Sequence, residues 1–144
     1  MAGKRKILAV DDNKNIVRLI QINLMKLGYD VDCAYDGVEC LKKVAVQKPD
    51  LIVLDIMMPR KDGFQTLKEL KSNPETADVP IIMLTAKAQD GDILKGWQSG
   101  VDCYLTKPFN PAELIAFVKR IFAHTEDKKD THFDGRPIYS IDEV

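Results

Sequence analysis

The chain has 144 residues, 45% hydrophobic and 30% charged, with a formal net charge of −1. That length fits one ordinary domain, and the composition is globular rather than disordered. The near-neutral balance leaves no overall basic footprint for nucleic acid, no run approaches the ~18 apolar residues of a membrane span, and only four apolar residues separate Lys6 from Asp11, too few for a secretory signal core.

In chain order, β1 is expected at about Arg5–Val10. The helix α1 follows at about Lys14–Leu27, with Ile16, Leu19, Ile20, Leu24 and Leu27 at helical spacing and Gly28 closing it. A short β2 covers Asp30–Ala34. Asp36-Gly37-Val38-Glu39 reads as a capping box that opens α2, which runs to about Gln47. The run Leu51–Asp55 is apolar without alternation up to its final Asp, as suits a central strand, β3, covered on both faces. Pro59 and Gly63 enclose a loop. The helix α3 spans about Phe64–Lys71 and is broken by Asn73-Pro74. Then come β4 at Val79–Leu84, α4 at about Gly91–Ser99, and β5 at about Asp102–Leu105. Asn110, Pro111 and Glu113 fit the N-cap, N1 and N3 positions of α5, which reaches about Ala123. Residues 125–144 mix Asp, Glu and Lys with Gly135 and Pro137, the composition of a tail or linker after a domain spanning 1–124.

Strict alternation of strands and helices implies an α/β doubly wound parallel sheet with helices on both faces. All strand carboxyl ends then open on one edge, where ligand chemistry gathers. Here the strands end in Asp11-Asp12, Asp55, Thr85 and Thr106-Lys107. Like charges ~4 Å apart repel by roughly 4 kcal/mol at an effective dielectric of 20. Three carboxylates at one edge must therefore protonate or bind a cation, and hard oxygen donors with room for water suit Mg²⁺. A carboxylate after a buried strand, such as Asp55, can attack phosphorus and form an acyl phosphate. Lys107 supplies a counter-charge and Thr85 a hydroxyl.

No glycine-rich phosphate loop is present, so a phosphoryl group is expected from another protein or a small phosphodonor rather than a bound nucleotide. The plain readings are an N-cap of α1 for Asp11 and Asp12, a structural strand-end Asp55, a solvated Lys107 and a Thr85 bonded to local backbone. Cys33, Cys40 and Cys103 are odd in number and lack CxxC spacing, which fits buried thiols in a reducing, cytoplasmic setting. His124 and His132 lie beyond the last strong helical pattern.

Asp11-Asp12-Asn13, Leu54-Asp55-Ile56-Met57-Met58-Pro59 with Asp62-Gly63, Leu84-Thr85-Ala86, and Tyr104-Leu105-Thr106-Lys107-Pro108-Phe109 together resemble the receiver domain of two-component response regulators. The resemblance runs from about Arg5 to about Ala123. It implies a flavodoxin-like (βα)5 fold with strand order 2-1-3-4-5. It implies Asp55 as phosphoacceptor, with Thr85 and Lys107 as its catalytic companions. Asp12 and Asp55 resemble direct Mg²⁺ ligands, Asp11 a ligand through water, and Met57 the donor of a backbone carbonyl. A cis bond before Pro108 is implied, as are Thr85 and Tyr104 as switch residues for an α4–β5–α5 surface. Tyr104 reads otherwise as a half-buried strand tyrosine. Trp97 on α4 reads as core or as an interface anchor.

The implied partners are a histidine kinase or histidine phosphotransfer protein, and a homodimer through α4–β5–α5; no direct nucleic-acid or membrane contact is expected of the domain. Two rivals stand beside this reading. A Mg²⁺-dependent phosphohydrolase resembling the haloacid dehalogenase group would carry a second Asp two residues after the nucleophile, where this chain has Met57. A binding module that is never phosphorylated would not need Asp55, Thr85 and Lys107 together.

Overall fold

The computed structural model describes residues 4–58, 60–85 and 101–126, the side chains of residues 125 and 126 excepted. The expected α4 with Trp97, the loop residue Pro59 and the tail after Glu126 lie outside the described residues. Five parallel strands form one sheet in the order β2-β1-β3-β4-β5: Lys6–Val10, Asp30–Ala34, Leu51–Asp55, Ile81–Thr85 and Cys103–Thr106. This is the flavodoxin-like order that the resemblance implies.

The three inner strands are buried on both faces, which is why Leu51–Asp55 and Ile81–Thr85 show no polar alternation. One layer packs Ile7, Ala9, Val53, Leu84 and Leu105 under α1 (Lys14–Met25) and α5 (Pro111–Glu126). The other packs Leu8, Val10, Leu54, Met83 and Tyr104 with residues of α2 (Gly37–Val46) and α3 (Gly63–Ser72). Among the described residues no helix is long and apolar enough to cross a membrane.

Local departures from the expected boundaries have visible causes. Asn13, not Asp11 or Asp12, caps α1: its side chain accepts from Asn15 N at 2.9 Å and from Ile16 N at 3.4 Å. The helix ends before Leu27 because Leu27 N and Gly28 N turn back to Leu24 O and Met25 O, and Gly28 takes φ 92°. Asp36 caps α2 as expected, but Glu39 reaches back to Tyr35 N rather than to the N-cap amide.

Asp62 and Gln65 form a capping box, so α3 starts at Gly63. The strand β4 starts at Ile81 because the Val79 and Ala77 carbonyls accept from Lys71 Nζ, both at 3.0 Å, and Asp102 Oδ2 takes the Ile81 amide at 2.7 Å. At the start of α5 the Asn110 side chain accepts from Ala112 N at 2.9 Å and the Glu113 side chain from Asn110 N at 3.3 Å, and the helix continues to Glu126, two residues into the expected tail. The three cysteines are free; Cys40 and Cys103 are buried and Cys33 is partly so.

Candidate functional site

Register brings the strand ends together. Val10 pairs with Leu54 and Asp55 pairs with Leu84, so Asp11 follows β1 beside Asp55 at the end of β3. Thr85 pairs with Thr106, which places Lys107 just beyond β5 at the same edge. The Lys107–Pro108 peptide is cis, and Lys107 N donates to Thr85 O at 2.6 Å. The Lys107 side chain turns to the carboxylates: Nζ lies 3.0 Å from Asp11 Oδ2 and 3.1 Å from Asp55 Oδ1. It is therefore not the solvated turn lysine of the plain reading. Asp11 is also fixed from below, since its Oδ1 accepts from Asn13 N at 2.9 Å.

Asp11 and Asp55 are 0% and 2% exposed, whereas Asp12 is exposed. One ligand oxygen from each of the three lies within 4.8 Å of the others. Asp55 Oδ2 is buried and meets no hydrogen-bond donor among the described residues. Burial pushes the Asp55 pKa up to about 6, the Asp11 carboxylate adds to the rise, and Lys107 opposes it. Burial also raises Asp11, against the Asn13 amide and Lys107. Burial works against the charge of Lys107 too, but Asp11 and Asp55 outweigh it and raise its pKa.

Three carboxylates against one ammonium leave excess negative charge and a buried oxygen without a donor. That donor set, all hard oxygen and open on the Asp12 side, fits Mg²⁺. The Met57 side chain is 71% exposed and ends in a soft thioether, so of this residue only the backbone carbonyl is a candidate donor for a hard cation. Thr85 is buried at the edge of the cluster at the end of β4. Tyr104 is 1% exposed, packed in the sheet layer with Met83 and Leu54; the half-buried alternative is thus corrected.

One contact near the site has no sequence signal. Arg60, in the β3–α3 loop, pairs with the α2 cap Asp36 across 24 positions of chain. No spacing rule links the two, and only the fold puts them together.

A family model for the response regulator receiver domain matches residues 7–119. The chain is 49% identical over 122 residues to the alkaline phosphatase synthesis transcriptional regulatory protein PhoP of Bacillus subtilis (strain 168), a match covering 85% of this chain and 50% of that protein. The chain thus spans about half the length of this curated relative. Among solved structures it is similar to the chemotaxis protein CheY4 of Vibrio cholerae, with TM-score 0.79, 34% identity, and coverage of 83% of this chain and 99% of that one. The receiver domain of the Francisella response regulator 1452 gives TM-score 0.79 and 37% identity, over 85% of this chain and 99% of that one. With the strand order and the acidic edge already in place, these matches mean that the chain belongs to the response regulator receiver domain family of two-component systems.

Proposed function

We propose that this domain accepts a phosphoryl group on Asp55 from a histidine kinase or histidine phosphotransfer protein, with Mg²⁺, in the cytoplasm. The observation that carries the reading is the state of the Asp55 carboxylate. One oxygen is tied to Lys107 at 3.1 Å, and the other is buried with no donor among the described residues. That second oxygen, Oδ2, has its lone pairs available for phosphorus. It forms the new P–O bond while the bond from phosphorus to the donor's leaving group breaks and that group departs with the electron pair. Lys107 stays protonated throughout and pairs with a phosphoryl oxygen; the Thr85 hydroxyl donates to another. Asp12, Asp55 and the Met57 carbonyl, with Asp11 through water, would hold Mg²⁺, which would supply charge neutralisation at the phosphoryl oxygens.

The domain acts in signalling and catalyses only its own phosphorylation and slow dephosphorylation. The new charge biases a two-state surface formed by α4, β5 and α5, with Thr85 and Tyr104 as the moving parts. Support for this comes from Thr85 ending the strand that pairs with β5, and from Tyr104 lying on β5 opposite Met83. That surface is also where a second copy would dock. Residues 127–144 are proposed to be a tail outside the domain.

The experiment is intact mass after acetyl phosphate. The expected result is a gain of one phosphoryl group that needs Mg²⁺, is abolished by EDTA and is absent from Asp55→Asn. A Mg²⁺-dependent adduct in Asp55→Asn would sink the reading. The metal assignment carries its own prediction. Asp12→Ala should weaken Mg²⁺ binding by roughly tenfold or more, and Asp11→Ala clearly less, when titrated calorimetrically. Equal or reversed losses would overturn the ranking of direct and water-mediated ligands.

A further inference from the structure

The β3–α3 loop carries the Met57 carbonyl, and one of its residues has an unusual backbone. Arg60 takes φ 65°, in the left-handed region where glycine is at home and a side chain carries a cost. Its guanidinium is engaged. Nε donates to Asp36 Oδ2 at 3.0 Å, and Nη2 donates to the same oxygen.

Asp36 is itself fixed. Its other oxygen, Oδ1, accepts from Glu39 N at 2.8 Å as the cap of α2, and its side chain is only 13% exposed. The Glu39 amide first and Arg60 next hold its carboxyl below the usual range, against partial desolvation. The two oxygens thus have separate tasks, one for the helix and one for the loop.

A second contact joins the same two elements. Gly37, the first residue of α2, lies so close to the loop and to α3 that a Cβ there would meet Lys61 O of the loop at 2.5 Å and Thr66 Oγ1 of α3 at 2.1 Å. The base of the loop is closed separately by Gly63 N donating to Ile56 O at 2.8 Å. The loop is therefore held at its base by β3 and farther out by α2.

We propose that Arg60, anchored on Asp36, is a positioning residue for divalent-cation binding, fixing the β3–α3 loop so that the Met57 carbonyl is ordered before the cation arrives. This rests on the Mg²⁺ reading above. Without the pair, the loop would keep its base bond and the Gly37 contact but lose its side-chain tie, so part of its ordering would fall to binding and be subtracted from affinity. A glycine at position 60 would adopt the same backbone free of strain but would remove the tie to Asp36.

The test is calorimetric titration of Mg²⁺ into the metal-free full chain, beside thermal melts. Arg60→Gly removes the backbone cost, and Asp36→Asn keeps a residue able to cap α2, so neither should lower the melting temperature appreciably. Both should weaken Mg²⁺ by roughly three- to tenfold, the double variant should lose no more than either single one, and Arg60→Lys should recover part of the loss. Stability and affinity would then move independently, which a merely structural role does not produce.

Affinities within about twofold of the parent in both single variants, or losses that multiply in the double variant, would overturn the inference. If the parent binds Mg²⁺ and the variants match it, only this inference fails. If the parent binds none, the metal reading fails with it.

Discussion

Asp55→Asn is expected to make the metal-free protein more stable at pH 7.5, by up to roughly 3 kcal/mol, while changing it little at pH 4. The Asp55 carboxyl titrates near 3.8 when unperturbed and at about 6 in the fold, because it is buried and sits beside Asp11. A raised carboxyl pKa means that the folded state holds its proton longer than the unfolded chain does. The sign follows: below about pH 3.8 both states are protonated and no penalty exists. Between about 3.8 and 6 the unfolded chain ionises first, and stability falls as pH rises. Above about 6 the full penalty stands, about 1.36 kcal/mol for every pH unit that separates the folded and unfolded titrations.

The asparagine cannot ionise, so the variant escapes that loss. Part of the gain is returned because Lys107 keeps only Asp11, at 3.0 Å, as a partner. Chemical denaturation in EDTA across pH 4–8 reads the difference. Saturating Mg²⁺ should stabilise the parent and leave the variant nearly unchanged, narrowing or reversing the gap. A variant less stable than the parent at pH 7.5 in EDTA would show that Lys107 already neutralises the cluster.

Gly63→Ala should cost about 3 kcal/mol of stability and lower Tm on the order of 10 °C. Gly63 opens α3 directly against the end of β3. A Cβ there would lie 2.3 Å from Asp55 O and 2.7 Å from Ile56 Cα. Both neighbours are backbone, and Ile56 N is already tied to Leu84 O at 3.0 Å. Neither can swing aside as a flexible side chain would, so either α3 retreats or the β3 terminus shifts. A shift there would move the Asp55 carboxylate away from Lys107, and phosphoryl acceptance should fall along with Tm. An alanine variant within about 0.5 kcal/mol of the parent by denaturation would mean that the helix start yields without strain.

Much of this fold can be read along the chain, because strands buried on both faces and capped helices leave local marks. Leu51–Asp55 matches its strand residue for residue, and Asn110 with Glu113 marks the start of α5 correctly. Strand order has no such local mark; it came from the resemblance, and the sheet agrees with it.

The misplaced boundaries trace to side chains acting across the fold. Lys71 holds the Val79 carbonyl out of β4, and Asn13 takes the cap that the neighbouring aspartates were candidates for. At the site, placement was legible because each polar residue directly follows an apolar run. The depth of burial was not: Asp12 is exposed beside a fully buried Asp11, and Tyr104 is sealed in the sheet. The Arg60–Asp36 pair and the backbone contact of Gly63 were beyond reach, since both depend on how α2 and α3 meet the β3 terminus.

The central claim is that the phosphoryl group becomes an acyl phosphate on Asp55, and borohydride trapping with peptide mapping tests it most directly. Reduction of an aspartyl phosphate expels phosphate and converts the side-chain carboxyl into a primary alcohol, leaving homoserine in place of the aspartate. After treatment with acetyl phosphate and Mg²⁺, the account predicts homoserine at position 55, and none there when EDTA is present or the phosphodonor is omitted. Homoserine at position 11 or 12 with aspartate retained at 55, or a phosphoryl group found on a side chain that is not a carboxylate, would contradict it.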